Sequence, residues 1–266
     1  MYRDGARKSI WQEEIRKFSS DADLNQLYDV VIVGGGITGI STALKLQQAG
    51  KRCILLEAAN IGFGTTGGTT AHLNDFFDTT FKEAISDFGQ DNAQLFANTG
   101  QEAISIIENN IRQYGIDCDF ERKTAYLFAL DEKQEKQLTD IVEGAEKVGH
   151  TMSYVDEIPF PIPFKKAVTI PDQAQFHPVK YIKGLCEAFI SLGGIIQEDC
   201  RCESHDEQDN HVILETSKGE IKAKNVVYAT HIPPGLSILH ITNAPYRSYA
   251  IAFSLKDENY PEELGY

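Results

Sequence analysis

Three glycines, Gly34, Gly36 and Gly39, follow an apolar run and precede a segment in which apolar residues recur at helical spacing. In this spacing the first glycine permits a sharp turn, the second lets the backbone approach a pyrophosphate, and the third allows close packing of a helix. Glu57 stands about 20 residues further on, at the end of the next apolar run, where it can accept hydrogen bonds from ribose hydroxyls. Together these residues predict a dinucleotide-binding site.

The predicted helix begins near Ile37, so its first turn, which contains Ile37 and Thr38, would face the phosphates. Unpaired N–H groups and the helix dipole together favour an anion at that position. A charge-assisted hydrogen bond from ribose to Glu57 contributes about 1.5 to 3 kcal/mol, and the same charge would repel a 2′-phosphate. Residues 34–57 do not distinguish FAD from NAD, because both cofactors share the adenosine diphosphate half.

The loop that follows Glu57 favours FAD. Its sequence, GFGTTGGTT, occupies residues 62–70. Small residues and free backbone N–H groups leave room for a bulky ring beside the pyrophosphate. The alternative is a surface loop that binds nothing.

The segments that must position these residues alternate between strand and helix, which predicts an α/β fold. A strand at Asp29–Val33, a helix from Ile37 to a stop at Gly50, and the strand CILLE form a βαβ unit. A later helix starts at Pro178 and leads to the strand IIQED, and a hairpin through Lys218 leads to a buried strand ending at Ala229. Between them we predict two helices over residues 81–114, the strand TAYLFAL, a helix capped by Asp131, the strand TMSYV and a proline-rich crossing, IPFPIPF.

The composition excludes several classes of protein. A net charge of −14 and a pI near 4.9 disfavour nucleic-acid binding, which needs clustered Lys and Arg. The sequence has no apolar run of roughly 20 residues and no apolar signal segment at its N-terminus, so we expect no membrane span and a cytoplasmic location. Five cysteines fit a reducing compartment. Cys200, Cys202 and His205 lack a fourth ligand, so we predict no metal site.

Three segments resemble the FAD-dependent oxidoreductase family of D-amino-acid oxidase, glycine oxidase and sarcosine oxidase. They occur in the order that the family has, and they are DVVIVGGGITGISTALKLQQAGKRCILLEAANIGFGTTGG, QAQFHPVKYIKGL and GEIKAKNVVYATHIPPG. The variants GTTGGTTAH and YATHIPP are most similar to bacterial members that carry a C-terminal Rieske iron–sulfur domain. The resemblance implies FAD as cofactor, a small-molecule amine or amino acid as substrate, and a possible Rieske domain as partner.

The resemblance also implies further site residues and a division into domains. Thr65, Thr66 and Gly67 would lie near the pyrophosphate or flavin, the backbone at Cys202 would meet the adenine, and Ala229 and Thr230 would close over the ribose-phosphate. The candidate cofactor-binding residues are therefore Gly34, Gly36, Ile37, Thr38, Gly39, Glu57, Ala58, Thr65, Thr66, Gly67, Cys202, Ala229 and Thr230. The expected fold is a Rossmann-like parallel FAD-binding sheet (residues 29–80 and 150–235) with an interleaved α+β substrate or cap domain (81–149 and 236–266), after an N-terminal extension (1–28).

Two departures from the family pattern concern the C-terminal part. The glycine-rich loop that makes the family's last flavin contact is missing, and the sequence has no C-x-H pair that could ligate a Rieske cluster. We therefore expect these 266 residues to be the N-terminal part of a longer polypeptide, with a truncated cap domain. The remainder would supply cap strands, the last flavin contact and the Rieske cluster.

No side chain is assigned as catalytic, because a flavin takes the hydride itself. His72 could approach the flavin but is expected to be an ordinary hydrogen-bonded histidine, His177 a helix cap, and His231 a residue at the cofactor's edge. Tyr246, Arg247 and Tyr249 could orient an acidic substrate, or could form a sheet face with solvated tips. The rival functions are an NAD-dependent dehydrogenase and a non-catalytic flavin-carrying or electron-transfer module.

Overall fold

The computed structural model describes residues 9–12, 17–18, 22–231, 251, 253–256 and 259–266. Its elements in chain order are β1 (Leu27–Val33), α1 (Ile37–Gln48), β2 (Cys53–Leu56), β3 (His72–Leu73), α2 (Phe81–Phe88), α3 (Gln90–Tyr114), β4 (Glu121–Ala129), α4 (Glu132–Lys147), β5 (Ser153–Val155), β6 (Lys166–Gln175), α5 (Pro178–Ser191), β7 (Ile195–Gln197), β8 (Cys202–Glu207), β9 (Val212–Thr216), β10 (Gly219–Tyr228) and β11 (Leu264–Gly265). Two 3-10 turns lie at Ile10–Gln12 and Thr65–Gly68.

The chain forms two compact units. The first unit comprises Met1–Thr70, Gln113–Cys118 and His177–Tyr249, and the second comprises Ala71–Arg112, Asp119–Phe176 and Ala250–Tyr266. The sequence predicts that residues 71–80 and 150–176 belong with the FAD-binding strands. In the structure they belong to the second unit, because β3, β5 and β6 share a sheet with β4.

The first unit contains a sheet of six strands in the order β7-β2-β1-β10-β9-β8. Strand β1 pairs in parallel with β2 and β10, and β2 pairs in parallel with β7, as the two predicted βαβ-type returns require. The strands β8, β9 and β10 form an antiparallel meander. Leu214 and Ile221 of the meander pack with Tyr28 and Val31, which explains why β1 is an almost continuous apolar run.

Helices α1 and α5 of the first unit pack against each other. Helix α5 begins as predicted, with Pro178 in its first turn and His177 as its cap, because Nδ1 of His177 accepts a hydrogen bond from the Lys180 N–H at 3.2 Å. The interpretation of His177 as a helix cap is confirmed.

The second unit contains a sheet in the order β11-β4-β6-β3, with β5 paired to β6, and the helices α2, most of α3, and α4. The predicted cap of α4 is present, because Asp131 accepts a hydrogen bond from the Gln134 N–H at 2.9 Å. Helix α2 begins with a cap that was not predicted, a capping box between Thr80 and Glu83. Strands β3 and β6 were not predicted, and β6 is long although it contains Pro171.

Pro171 is tolerated in β6 because the strand bulges there. The register with β4 shifts between Lys123, opposite Gln173, and Ala125, opposite Ile170. Asp172 has a φ of +60°, in the left-handed region. An irregular position of this kind removes the requirement for the N–H that proline lacks.

A buried polar cluster joins distant segments of the second unit. His150 Nε2 lies 2.8 Å from Asp75 Oδ1, and their side chains are 2% and 5% exposed. Gln173 donates to Asp75 Oδ1 at 2.7 Å and accepts from the Asp75 N–H at 2.9 Å. These contacts fix residues 75, 150 and 173 in one unit, which sequence periodicity alone does not show.

Candidate cofactor site

The glycine turn, residues 34–36, connects β1 to α1 and contacts the residues that follow β10. The Gly34 N–H donates to the Leu56 carbonyl at 2.8 Å, and the Ala229 N–H donates to the Val33 carbonyl at 2.8 Å. Gly34 has a φ of +115°, and a Cβ there would lie 2.5 Å from the Ala229 carbonyl oxygen. Only glycine fits this position without strain.

The other two glycines of the motif differ in what surrounds them. A Cβ on Gly39 would overlap the carbonyl oxygen of Gly34, so α1 packs directly on the turn. Gly36 instead has φ −83° and ψ −177°, a conformation open to any residue, and a Cβ there would meet only Thr66 Oγ1, at 3.0 Å. Gly36 provides no side-chain cap for α1 and leaves space in front of the helix N-terminus.

Thr66 reaches that N-terminus from the loop. Its Oγ1 accepts a hydrogen bond from the Ile37 N–H at 3.0 Å. The Gly62 N–H donates to the Gly35 carbonyl at 3.0 Å, so the loop contacts the glycine turn at two points. This arrangement fits a pyrophosphate. The residues are small, Gly36 leaves space in front of the helix, and the Thr66 hydroxyl lies at the first N–H of α1.

Glu57 lies immediately beyond β2 and braces the same turn. Its Oε2 accepts from the Gly35 N–H at 2.7 Å, and its Oε1 accepts from the Ala59 N–H at 2.9 Å. Burial raises the pKa of Glu57 above its ordinary value of 4.5, although these N–H groups act in the opposite direction. The N–H groups of Gly35 and Ala59 therefore hold the Glu57 carboxylate in one orientation. A bound ribose would donate to the same carboxylate.

The structure brings most of the predicted site residues into one neighbourhood. Close contacts connect Gly34 with Gly39 and Ala229, and Thr66 with Gly36 and Ile37. Glu57 is joined to them through the N–H of Gly35. Thr38, Ala58 and Thr65 are exposed, Gly67 is buried in the 3-10 turn, and Thr230 is half-buried after β10. That each of these residues contacts the cofactor remains a prediction.

Cys202, at the start of β8, and Tyr228, at the end of β10, pack against the same apolar cluster. The Cys202 thiol donates to the Ser204 carbonyl at 3.7 Å, and the Tyr228 hydroxyl lies 2.7 Å from His205 Nδ1. Burial raises the pKa of the Cys202 thiol, which favours the neutral form. In the described part of the chain no group of three or more His, Cys, Asp or Glu side chains is arranged to hold a metal ion.

Glu198, a carboxylate next to this site that is only 1% exposed, is not among the predicted site residues. It accepts from the Ile61 N–H at 2.7 Å and from the Phe18 N–H at 2.6 Å. A signal was present, because Glu198 follows β7 as Glu57 follows β2, and these two parallel strands are neighbours in the sheet.

The other candidates are His72, His231 and the cluster of Tyr246, Arg247 and Tyr249. His72 is in β3 of the second unit, where its Nδ1 lies 2.7 Å from the Tyr266 hydroxyl and burial lowers its pKa. His231 is exposed with a φ of +67°. Tyr246, Arg247 and Tyr249 lie outside the residues that the structure describes.

The chain belongs to the FAD-dependent oxidoreductase family, whose model matches residues 29–265. The putative Rieske 2Fe-2S iron-sulfur protein YhfW of Bacillus subtilis is 33% identical over 238 residues, covering 89% of this chain and 47% of that protein. Gamma-glutamylputrescine oxidoreductase of Escherichia coli is 28% identical over 229 residues, covering 83% of this chain and 53% of that one. The family resemblance and the choice of FAD over NAD are thereby confirmed.

Solved structures agree on the fold. Glycine oxidase from Geobacillus kaustophilus has a TM-score of 0.65 at 20% identity, covering 77% of this chain and 55% of that one. An L-amino acid deaminase from Proteus myxofaciens has a TM-score of 0.67 at 18% identity, covering 84% and 49%. The α/β fold with a Rossmann-like parallel sheet is confirmed, and the chain spans about half the length of these relatives.

Replacing Glu57 by glutamine is expected to weaken FAD binding about tenfold, which corresponds to about 1 to 2 kcal/mol for a charge-assisted hydrogen bond. The amide would also place an NH₂ group against the N–H of Gly35 or Ala59. The measurement is a fluorescence titration of the apoprotein with FAD. Glu215→Gln, at an exposed position of β9, serves as the matched control.

The same titration tests the charge of Glu57 through its pH dependence. Because the pKa of Glu57 is raised, its carboxylate contribution to FAD binding should be complete above the raised pKa and lost as pH falls through it, beginning above 4.5. Glu57→Gln should lack this loss. Equal FAD affinities of the variant and the wild type over the whole pH range would show that Glu57 does not bind the ribose.

Proposed function

We propose that this protein is a flavin-dependent oxidoreductase that removes a hydride from the carbon next to nitrogen in an amine or amino acid. The observation that carries the proposal is the open position at Gly36, between the N-terminus of α1 and Thr66, with Glu57 beyond the neighbouring strand. The names of two relatives, glycine oxidase and gamma-glutamylputrescine oxidoreductase, support nitrogen-bearing substrates.

In this proposal the first turn of α1, Thr66 and Glu57 each have a defined role. The first turn of α1 binds the pyrophosphate through its N–H groups and dipole, and the Thr66 hydroxyl adds a hydrogen-bonding group. Glu57 accepts the ribose hydroxyls. The bound flavin supplies the electron acceptor for the hydride. We assign the first unit to FAD binding and the second to the substrate.

A second candidate function is electron transfer to an iron–sulfur partner. It is supported by the relative named as a Rieske 2Fe-2S protein, which matches 89% of this chain. In this role a Rieske domain, in the same polypeptide or a separate one, would take electrons from the reduced cofactor. Oxidation of the substrate would remain the first half of the reaction.

We further propose a cytoplasmic location. All five cysteines are free thiols, the state that a reducing compartment maintains. None of the helices in the described ranges is both long and apolar enough to cross a membrane.

The proposed function predicts that amines or amino acids bleach the visible absorption of the FAD-loaded protein under anaerobic conditions. A panel of glycine, larger amino acids and γ-glutamyl amines would be compared with 2-hydroxy acids of matched size. Bleaching by nitrogen-bearing compounds alone is the expected result. Bleaching by the hydroxy acids, with no response to any amine, would overturn the assignment of substrate class.

A further inference from the structure

We propose that residues 9–12, here called the N-terminal strap, position the loop of residues 61–69 and thereby set the affinity for FAD. Trp11 and Gln12 act as positioning residues, because they bind carbonyls of the loop whose Thr66 contacts the start of α1. The inference rests on the proposed FAD site. It assigns a function to a segment that precedes the first strand and lies outside the family match.

Gln12 connects the strap to the loop through both ends of its amide. Its Nε2 donates to the carbonyls of Gly62, at 3.2 Å, and Phe63, at 3.1 Å. Its Oε1 accepts from the Ser9 N–H at 3.2 Å. The Ser9 hydroxyl donates to the Gly67 carbonyl, so three loop carbonyls have partners in the strap.

Trp11 joins the strap to both the loop and α5. Its Nε1 donates to the Thr69 carbonyl at 2.7 Å. Its ring packs edge-to-face against His177, with centroids 5.0 Å apart and planes at 71°. Because His177 caps α5, the strap ties the far end of the loop to a rigid element of the first unit.

A second attachment lies at the start of the loop. The buried Glu198 carboxylate accepts from the Phe18 N–H and from the Ile61 N–H, which joins the N-terminal segment to the loop through one side chain. Lys17 pairs with the neighbouring Asp199 at 2.7 Å on the surface. Phe18 is thus connected to the start of the loop at Ile61, and Trp11 to its end at Thr69.

The loop transmits these contacts to the cofactor site. The strap binds the carbonyl of Gly62, and the N–H of the same residue donates to Gly35 in the glycine turn. Thr66, between the two strap contacts, accepts from Ile37 at the first turn of α1. With the carbonyls held on the strap side, the loop is already ordered when the ligand arrives, which removes an ordering cost from binding.

The test uses a substitution that keeps the shape of Gln12. Gln12→Glu retains an acceptor for Ser9 but turns an oxygen toward the carbonyls of Gly62 and Phe63. Trp11→Phe removes the donor to Thr69 and keeps an aromatic ring. For each variant we expect FAD to bind about five- to tenfold more weakly and to dissociate faster, from the loss of one or two hydrogen bonds.

Gln47→Glu is the matched control. Gln47 also donates to a carbonyl, that of Leu192 at 2.9 Å, and accepts from an N–H, that of Cys53 at 3.1 Å. It lies in the same unit at the other end of α1. The control should lower thermal stability at least as much as Gln12→Glu and leave the FAD dissociation constant unchanged.

Trp11 is the only tryptophan in the chain, so its fluorescence reports the strap in the absence of flavin. In the Gln12→Glu apoprotein we expect red-shifted emission and easier quenching by acrylamide. Wild-type FAD affinity in both strap variants overturns the inference, and so does a lowered melting temperature with no change in affinity. A wild-type protein that takes up no FAD overturns the proposed function itself, which is a distinguishable result.

Discussion

Replacing Gly36 by valine is expected to abolish FAD binding while both units remain folded. The backbone of Gly36 is in an extended conformation that valine adopts readily, and its new Cβ would meet only the end of the Thr66 side chain, 3.0 Å away. Thr66 can rotate away, so the fold is maintained. The isopropyl group, however, would fill the space in front of Ile37, where the pyrophosphate is proposed to bind. The measurement is flavin content per chain after reconstitution, with circular dichroism and thermal unfolding as checks on the fold.

Thr42→Val is the control for this variant. It introduces the same valine side chain in the second turn of α1, where the threonine hydroxyl that is lost donates to the Thr38 carbonyl at 2.8 Å. This protein should keep its full flavin content. If Gly36→Val also retained FAD at the wild-type ratio, the pyrophosphate would have to lie elsewhere.

Replacing Gly39 by alanine is expected to have a different effect, a loss of about 3 kcal/mol in the free energy of unfolding. The added methyl group would overlap the carbonyl oxygen of Gly34, which is backbone and cannot rotate away. Helix α1 would have to move off the turn, and FAD binding would be lost as a consequence. A fall of roughly 10 °C in the melting temperature of the apoprotein is the expected readout.

Gly68→Ala provides the comparison, because a Cβ there has no atom within 4 Å. Its melting temperature should match that of the wild type. Similar melting temperatures for Gly39→Ala and Gly68→Ala would contradict the close packing described for α1.

The parts of the fold that could be predicted depend on signals that are local in sequence. The glycine spacing placed the turn, Asp131 and His177 placed two helix starts, and the apolar run before Glu57 placed β2. In each case the residues that determine the structure lie within a few positions of one another. The position of Glu57 beside the glycine turn followed from a longer spacing, because one βαβ unit places the ends of two adjacent parallel strands at the same edge of the sheet.

The parts that could not be predicted depend on long-range contacts. Strand β6 carries Pro171, which argues against a strand until its bulge opposite β4 is known. Strand β8 has the polar sequence CESHDE and a mostly exposed surface, so it lacks an alternating pattern. The grouping of residues 71–80 with β6 depends on pairings such as His72 with Gln175, which local periodicity does not indicate.

The site shows the same division. Its contacts join residues that are far apart in sequence. Ile37 donates to Thr66, and Glu198 accepts from both Ile61 and Phe18. The strap belongs to a polar lead-in with no helical or strand periodicity, and its role depends on side-chain donors that meet loop carbonyls. Residue types alone do not indicate which carbonyls those donors reach.

The central claim is that the first unit binds FAD at the glycine turn, and the most direct test is the number of FAD molecules bound per chain. The apoprotein would be incubated with FAD, freed of excess ligand and measured by its visible absorption against its protein concentration. One FAD per chain in the wild-type protein, and none in Gly36→Val, is the result that the structure predicts. A wild-type protein that retains no FAD, or a Gly36→Val protein that retains one FAD per chain, would contradict the account.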